Sequence, residues 1–326
     1  MHEIDFTTGR PAIAYKGEKP WHGYGEIMLE NQPLDVWRVA AGLDWDVISR
    51  PVEYSPYLQG DRATMKRTFK GRKVLLRNDT FGELSIVSDR FKVVQPARVL
   101  EFFKSLIEKN GFKMNTAGAL RDGKRVWALA ETGDEFSMQN DKVAAYLLLA
   151  TAFDGTFSTT AQFTSIRVVC NNTLGFALER GGEGGVIKVP HNQEFNSYDV
   201  KNDLGLEESW VTFRDNVMQF AQHKVTKREA LNYFLTVMGV TEEDAADGKQ
   251  LSNVKKLIAY YDSGPGSQLR SAKGTAWGLV NAVTFLADHG RRAANAGNRF
   301  DSASFGSGAT LKRKAYEQAL VLVEAA

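Results

Sequence analysis

Cysteine and histidine are scarce in this sequence. Cys170 is the only cysteine among 326 residues, so the chain cannot form an internal disulfide. The five histidines are scattered without the spacing of a metal-binding motif, and one cysteine cannot build a zinc site. We therefore expect neither a metal nor another cofactor, and we expect a location in the cytoplasm, where thiols stay reduced.

Long hydrophobic runs and a charge excess of one sign are also missing. No apolar run approaches the ~20 residues that a membrane helix needs, and the N-terminus lacks the apolar region of a secretory signal. This pattern predicts a soluble protein without a membrane partner. The net charge of +2 does not by itself indicate nucleic acid, so a case for nucleic-acid binding must come from where the charges lie.

The common nucleotide-binding and hydrolase motifs are absent as well. The sequence contains no Walker loop, no dinucleotide-binding glycine pattern, no HExxH zinc motif and no nucleophile elbow. The glycines of Arg180 to Gly185 precede a predicted strand, whereas a phosphate-binding glycine loop precedes a helix. No motif therefore assigns a reaction to the chain.

The central part of the chain shows the strongest pattern. Val143 to Phe153 is a nearly uninterrupted apolar run, which predicts a buried central strand, and a second strand is expected from Thr156 to Phe163. The period then changes to that of a helix, which we expect from about Ser165 to Leu178. Its apolar face would consist of Ile166, Val169, Cys170, Thr173, Leu174 and Ala177.

The order of the elements predicts an α+β fold. An antiparallel sheet is expected between Trp45 and Phe163, interrupted by a helix that Pro96 begins and Gly111 follows. Asp122-Gly123 indicates a hairpin. Past Asn202 the apolar spacing is helical almost throughout, so we expect an α+β domain over residues 1–200 and a helical region over residues 201–326. The two are either one body or adjoining halves.

Basic residues are concentrated between Ala63 and Arg77, where Lys70-Gly71-Arg72 has the composition of a hairpin tip. One interpretation is a solvated sheet edge that lysines protect from aggregation. The other is a strip that binds the backbone of single-stranded nucleic acid, with Phe69, Phe91 and Tyr54 stacking on bases. The predicted phosphate-binding residues are Lys66, Arg67, Lys70, Arg72, Lys73, Arg77, Arg90 and Lys92.

Two other functions stay open. An enzyme could use acidic and histidine side chains as acid, base or metal ligands, and the candidates are Asp154, His191, His289 and Asp301. A scaffold or interaction protein without a ligand is the third alternative.

The region from Gly274 to Arg299 and the FDSASFGSG segment after it are predicted to form a surface feature. Small residues there permit close backbone approach, so a contact between subunits of a homo-oligomer is its simplest use. Arg291, Arg292 and Arg299 would provide a secondary basic surface.

Five segments occur in order over most of the chain: TTGRPAIAYKGEKPWHGYGE, TSIRVVCNNTL, VPHNQEF, GTAWGLVNAVTFLADHGR and NRFDSASFGSGATLKRKA. Together they resemble the DUF932-type family, a phage- and plasmid-borne family defined only as a domain of unknown function. The layout is more loosely similar to Rad-type single-strand annealing proteins of phages. That similarity implies binding of single-stranded DNA in recombination or replication in a bacterial host cell. The long helical C-terminal half departs from a simple annealing core.

Overall fold

The computed structural model describes residues 4–17, 23–56, 65–167, 172–175, 186–240, 251–292, 302–304 and 306–325. It confirms the α+β class, with most strands in the N-terminal half and most helices in the C-terminal half. The strands are β1 (Ile13–Lys16), β2 (Glu26–Met28), β3 (Val47–Tyr54), β4 (Arg67–Arg77), β5 (Glu83–Ser88), β6 (Lys113–Leu120), β7 (Arg125–Met138), β8 (Asp141–Ala152), β9 (Thr159–Arg167), β10 (Asn172–Gly175) and β11 (Val186–Val189). The helices are α1 (Leu34–Ala40), α2 (Pro96–Asn110), α3 (Ser197–Asp203), α4 (Leu206–Gln222), α5 (Lys227–Met238), α6 (Leu251–Ser263), α7 (Ala276–Phe285) and α8 (Ser307–Glu324), with a π-helical turn at Leu286–Gly290.

Within the described residues, the larger of two sheets has eight strands. Seven follow the order β10-β9-β8-β7-β6-β1-β2, and β11 pairs with the part of β9 that β10 leaves open. Its pairs are antiparallel except for β1 and β2. The buried central strand predicted at Val143 to Phe153 is confirmed as β8, and Leu147 and Leu149 are 0% exposed. The hairpin at Asp122-Gly123 is confirmed between β6 and β7, where both residues have positive φ.

The helix expected from Ser165 to Leu178 is wrong. β9 continues to Arg167, and β10 pairs antiparallel with it, Thr173 opposite Ile166. Residues 168–171 and 176–178, with Val169, Cys170 and Ala177 of the supposed apolar face, lie outside the described part. The β-branched threonines and isoleucine suit a strand, and β8 supplies hydrogen-bonding partners along β9. Pairing with a long central strand outweighs the helical spacing.

The smaller sheet has the order β3-β4-β5 and also departs from expectation. Lys70-Gly71-Arg72 is not a hairpin tip, because β4 runs through it. Thr68 is paired with Glu53 and Lys73 with Pro51, so four residues of β4 lie opposite Val52 alone. This is a large β-bulge in which Gly71 adopts the left-handed conformation, φ +78°. Residues 90–94 form no strand, since the chain turns there and enters α2 at Pro96.

The large sheet packs against α1, α2 and the small sheet on one stretch of its face, and against the C-terminal helices on another. The first core includes Trp37, Leu75 and Phe103. The second joins Val143 and Phe163 of the sheet to Phe213, Phe234 and other side chains of the helices. In the described part, no helix has the length and apolar character that crossing a membrane requires.

Helix α7 lies inside the second core, so the surface feature expected from Gly274 onward is wrong for this helix. Every residue from Ala276 to Thr284 is buried. Gly278 faces the backbone of Ala272 so closely that a Cβ would overlap its carbonyl oxygen. The small residues of this segment therefore permit packing within the molecule. Helix α8 begins at Ser307.

Candidate nucleic-acid interface

The bulge of β4 and the turn after β5 place the predicted cations on one end of the small sheet. Arg72 is opposite Ser88, and the Gly71 carbonyl accepts a hydrogen bond from the Asp89 N–H at 3.3 Å. The turn that includes Arg90 therefore lies beside the bulge. We call the residues assembled here the basic strip: Lys66, Arg67, Lys70, Arg72, Lys73, Arg90 and Lys92.

Most cations of the basic strip are exposed. Arg67, Lys70, Arg72 and Arg90 are exposed and make no ion pair within the described residues. Lys66 pairs with Glu53 at 3.4 Å, and Lys92 pairs with Glu194 at 2.8 Å, in both cases between solvated side chains. Such exposed pairs contribute little free energy, so they leave these ammonium groups able to bind an incoming anion.

Lys73 has a different role, because its side chain is half-buried. Its Nζ donates to the carbonyl oxygens of Asp89, at 3.3 Å, and Phe91, at 2.9 Å. The ammonium therefore stabilises the turn that positions Arg90. Its charge adds to the potential of the strip, while its hydrogen bonds are used within the protein.

Arg77 does not belong to the interface, which corrects its assignment as a phosphate ligand. Its side chain is 1% exposed and forms ion pairs with Asp5 and Asp79, the latter at 2.7 Å. The guanidinium also lies over the ring of Trp45, 4.2 Å from its centroid. Burial alone lowers the pKa of Arg77, but the hydrogen bonds and charges of Asp79 and Asp5 outweigh it and raise the pKa. The residue joins the small sheet to the N-terminal segment.

Exposed apolar side chains accompany the basic strip. Phe69, in the bulge, is 53% exposed, and Tyr54, opposite Arg67, is 46% exposed. Phe91 was expected to join them but is buried, and it stacks on His191 with ring centroids 4.2 Å apart. Beside the strip, Phe69 and Tyr54 are therefore the aromatic rings of the described residues that a base could reach.

Sequence reasoning missed two residues of this surface. The strand register places Arg50, Val74 and Ile86 in one row across the outward face of the small sheet. Arg50 and Ile86 are exposed there. In the sequence they stand in separate strands, and only their alternation with buried neighbours could have indicated a shared face.

The first two acid–base candidates, Asp154 and His191, have structural partners. Asp154 accepts hydrogen bonds from the Thr156 N–H, at 3.1 Å, and hydroxyl, at 2.5 Å, and lies 3.8 Å from Arg125 Nε. His191 Nε2 is 3.1 Å from the Phe157 carbonyl oxygen, and its Nδ1 is 3.3 Å from that of Lys92. Burial lowers the pKa of His191, although the two carbonyls and the charge of Asp154 oppose this effect.

The other candidates lie near the π-helical turn. His289 is exposed, with its ring 4.8 Å from that of Phe285, and neighbouring Asp288 pairs with the buried Lys312 at 2.7 Å. Asp301 lies outside the described residues. Among those residues, no three His, Cys, Asp or Glu side chains group as metal ligands would.

The secondary basic surface is only partly described. Arg291 is half-buried and its Nη1 donates to Ser307 Oγ at 3.1 Å, while Arg292 is exposed. Arg299 lies outside the described residues.

A large cleft of about 1300 Å³ lies between α1, α2 and the residues that precede α3, and its lining includes Glu194, the partner of Lys92. Its lining includes Trp37 and Phe102 together with side chains of both charges, and Arg98 pairs with Glu101 at 3.0 Å. Acidic side chains within the cleft would repel a phosphate backbone. The basic strip is therefore the better candidate for nucleic acid.

Comparison with known proteins gave one match. The model of a family described as a domain of unknown function, DUF932, matches residues 83–305. Neither the search of curated proteins nor the search of solved structures returned a match.

Proposed function

The chain belongs to the DUF932 family, and from its surface we propose that it binds single-stranded nucleic acid, with the basic strip on the phosphate backbone. The observation behind this proposal is the exposed group of Arg67, Lys70, Arg72 and Arg90 around the β4 bulge of a nearly neutral chain. Phosphate neutralisation by such side chains releases counterions and favours binding.

The neighbouring rings favour a single strand over a duplex. Phe69 and Tyr54 are exposed beside the cations. Stacking of an unpaired base on such a ring contributes about 1–3 kcal/mol and depends little on base identity. Bases in a duplex are already stacked on one another, so they would gain nothing from these rings.

The test removes three exposed charges and measures the salt dependence of binding. We expect Arg67→Gln, Lys70→Gln and Arg72→Gln together to weaken binding to a labelled oligonucleotide. The slope of log affinity against log salt should fall by about 2, since each phosphate contact contributes about 0.7 on a single strand. Lys73 is left in place because its ammonium supports the turn at Asp89 and Phe91.

A matched control removes the same charge from another surface. Arg228, Lys255 and Lys256 are exposed on α5 and α6, and their replacement by Gln should leave the slope unchanged. A folded strip variant with the wild-type slope would refute the proposal. It would support the alternative that lysines protect a solvated sheet edge, which also predicts increased aggregation of the variant.

The wider setting is part of the same proposal. Similarity of layout to Rad-type annealing proteins, together with the phage- and plasmid-type resemblance, supports a role in annealing during recombination or replication in the cytoplasm of a bacterial host. Fluorescence-monitored pairing of complementary strands would test this role. If the protein binds single strands but does not accelerate their pairing, the proposal of single-strand binding holds and the proposal of annealing is wrong.

A further inference from the structure

A groove lies on the face of the large sheet that is opposite the two cores. It consists of two adjoining hollows of about 160 and 70 Å³, which share Gln162, Ser304 and Ala309. The sheet forms its floor and the residues around the start of α8 form its wall. The larger hollow is lined by Phe157, Ser158, Thr160, Gln162, Val186, Lys188, Ser304, Ala309, Thr310 and Arg313.

The strand register brings the polar residues of the floor together. Lys188 of β11 is opposite Thr160 of β9, and Val186 is opposite Gln162. Directly opposite residues of an antiparallel pair point to the same face, so Lys188 and Thr160 project into the groove side by side. The floor of the groove thus combines hydroxyl groups, an amide and a cation.

The charged side chains among the described lining of the groove are basic: Lys188, Arg313 and the buried Lys312. Asp288 pairs with Lys312 at 2.7 Å, so the charge of Lys312 is compensated within the protein. Arg313 has an exposed partner, Glu317, at 3.8 Å, which is too distant for a strong hydrogen bond. Cations, hydroxyls and amides are the side chains that contact phosphate and sugar oxygens in nucleic-acid complexes.

The groove begins where the basic strip ends. His191 lies with one ring nitrogen 3.3 Å from the carbonyl of Lys92, in the strip, and the other 3.1 Å from the carbonyl of Phe157, at the groove. The imidazole ring therefore lies between the backbone of Lys92 and the backbone of Phe157. A strand leaving the strip at Lys92 would meet the groove at Phe157.

We infer that the groove binds a second stretch of the sugar–phosphate backbone of the same single strand, with Lys188 and Arg313 on phosphates and Thr160 and Gln162 on backbone oxygens. This inference rests on the proposed function of the basic strip. With the groove included, the bound strand contacts a longer stretch of the protein surface. Affinity should therefore depend on the length of the strand.

The experiment compares a short oligonucleotide of about 6 nucleotides with a long one of about 20, since usual single-strand site sizes run from about 4 to about 16 nucleotides. Binding is followed by fluorescence anisotropy over a salt series. For the Lys188→Gln, Arg313→Gln double variant, we expect unchanged binding of the short strand, which the strip alone can hold. Binding of the long strand should be weaker, with a salt slope lower by about 1.4, from two contacts.

A second variant tests the groove without changing its charge. Ala309 lines both hollows, so Ala309→Phe should fill them and weaken the long strand only. The control is Lys255→Gln with Lys256→Gln, which removes the same charge from α6 and should have no effect on either strand.

The outcomes separate this inference from the proposed function. If both folded groove variants bind the long strand with wild-type affinity and salt slope, the inference is wrong. If the strip variant loses binding in the same experiment, the proposed function of the strip still holds. If the groove variants and the α6 control lose affinity for the long strand equally, the loss is an effect of net charge and the inference is wrong. A wild-type protein that binds neither strand would refute the strip, and the groove with it.

Discussion

Single residues of β4 differ sharply in their surroundings. Arg72 is exposed, Lys73 is half-buried and Arg77 is enclosed, although all three are cations of one strand. The difference comes from the partners on other segments. Asp5, on the N-terminal segment, and Asp79, in the following turn, compensate the charge of Arg77, so the guanidinium can be buried.

Replacement of Arg77 by Met should therefore destabilise the protein. It leaves the carboxylate of Asp5 buried without its partner, and such a loss costs about 3–5 kcal/mol. Urea denaturation measures the free energy of unfolding. Arg72→Met is the matched control, because an exposed site should change stability by no more than about 0.5 kcal/mol. Equal stability of the two variants would contradict the assignment of Arg77 to the interior.

His191 should make stability depend on pH. Its pKa in the folded protein is lowered, first by burial, so the unfolded chain binds more protons near the ordinary pKa of about 6.5. The stabilising contribution is therefore fully present above that pH and is lost as the pH falls through the folded pKa. We expect wild-type stability to decline more between pH 8 and pH 5 than that of His191→Gln, as measured by urea denaturation. Parallel pH profiles would contradict this prediction.

At the scale of elements, local pattern and long-range pairing compete. Helix α2 follows its own sequence, with Pro96 in the first turn and Gly111 in the left-handed conformation beyond its end. β9 and β10 follow their neighbours, since β8 and the antiparallel register impose strand geometry on a segment with helical spacing. The β4 bulge is likewise set by pairing, because β3 offers one residue opposite four.

Helix α7 depends on a glycine for its close packing. A Cβ on Gly278 would overlap the Ala272 carbonyl oxygen and approach the Tyr261 ring to 2.9 Å. Gly278→Ala should cost about 3 kcal/mol, at the upper end of ordinary overpacking, because backbone cannot move aside easily.

Gly274→Ala is the matched control for Gly278→Ala. A Cβ there meets open space, so only the left-handed conformation, φ +66°, adds a cost of about 1–2 kcal/mol. If the denaturant midpoints fall equally in both variants, the close contact at Gly278 adds no cost beyond that of the control substitution.

At the scale of the whole molecule, aromatic packing joins sheet and helices. Trp210 of α4 lies 5.2 Å from Phe136 of β7 and 5.8 Å from Phe163 of β9, measured between ring centroids. The division into residues 1–200 and 201–326 stays a prediction, but this contact crosses it. We therefore expect strands and helices to unfold together.

Trp210→Ala should cost about 3–5 kcal/mol, as expected for a buried tryptophan. Amide hydrogen exchange should show protection falling in β8 and α7 alike, because both belong to the core that Trp210 completes. Tyr198→Ala, at a ring that is 71% exposed, is the control and should change little. Loss of protection confined to the helices would indicate two independent units.

The sequence by itself determined the features that depend on neighbouring residues. It predicted the α+β class, the central strand β8, the hairpin at Asp122-Gly123 and the bounds of α2, because apolar runs, turn residues and helix ends act within a few positions. It also predicted the group of cations at the start of β4, because these residues are neighbours in the chain.

Only the tertiary structure decided which of those cations face solvent. The burial of Arg77 depends on Asp5, and the exposed row of Arg50, Val74 and Ile86 depends on the register of three strands. The sheet groove combines β9 and β11 with the start of α8, which lies more than a hundred residues further along the chain. Such contacts form only when distant segments pack, and the sequence of one segment does not identify the segment that will contact it.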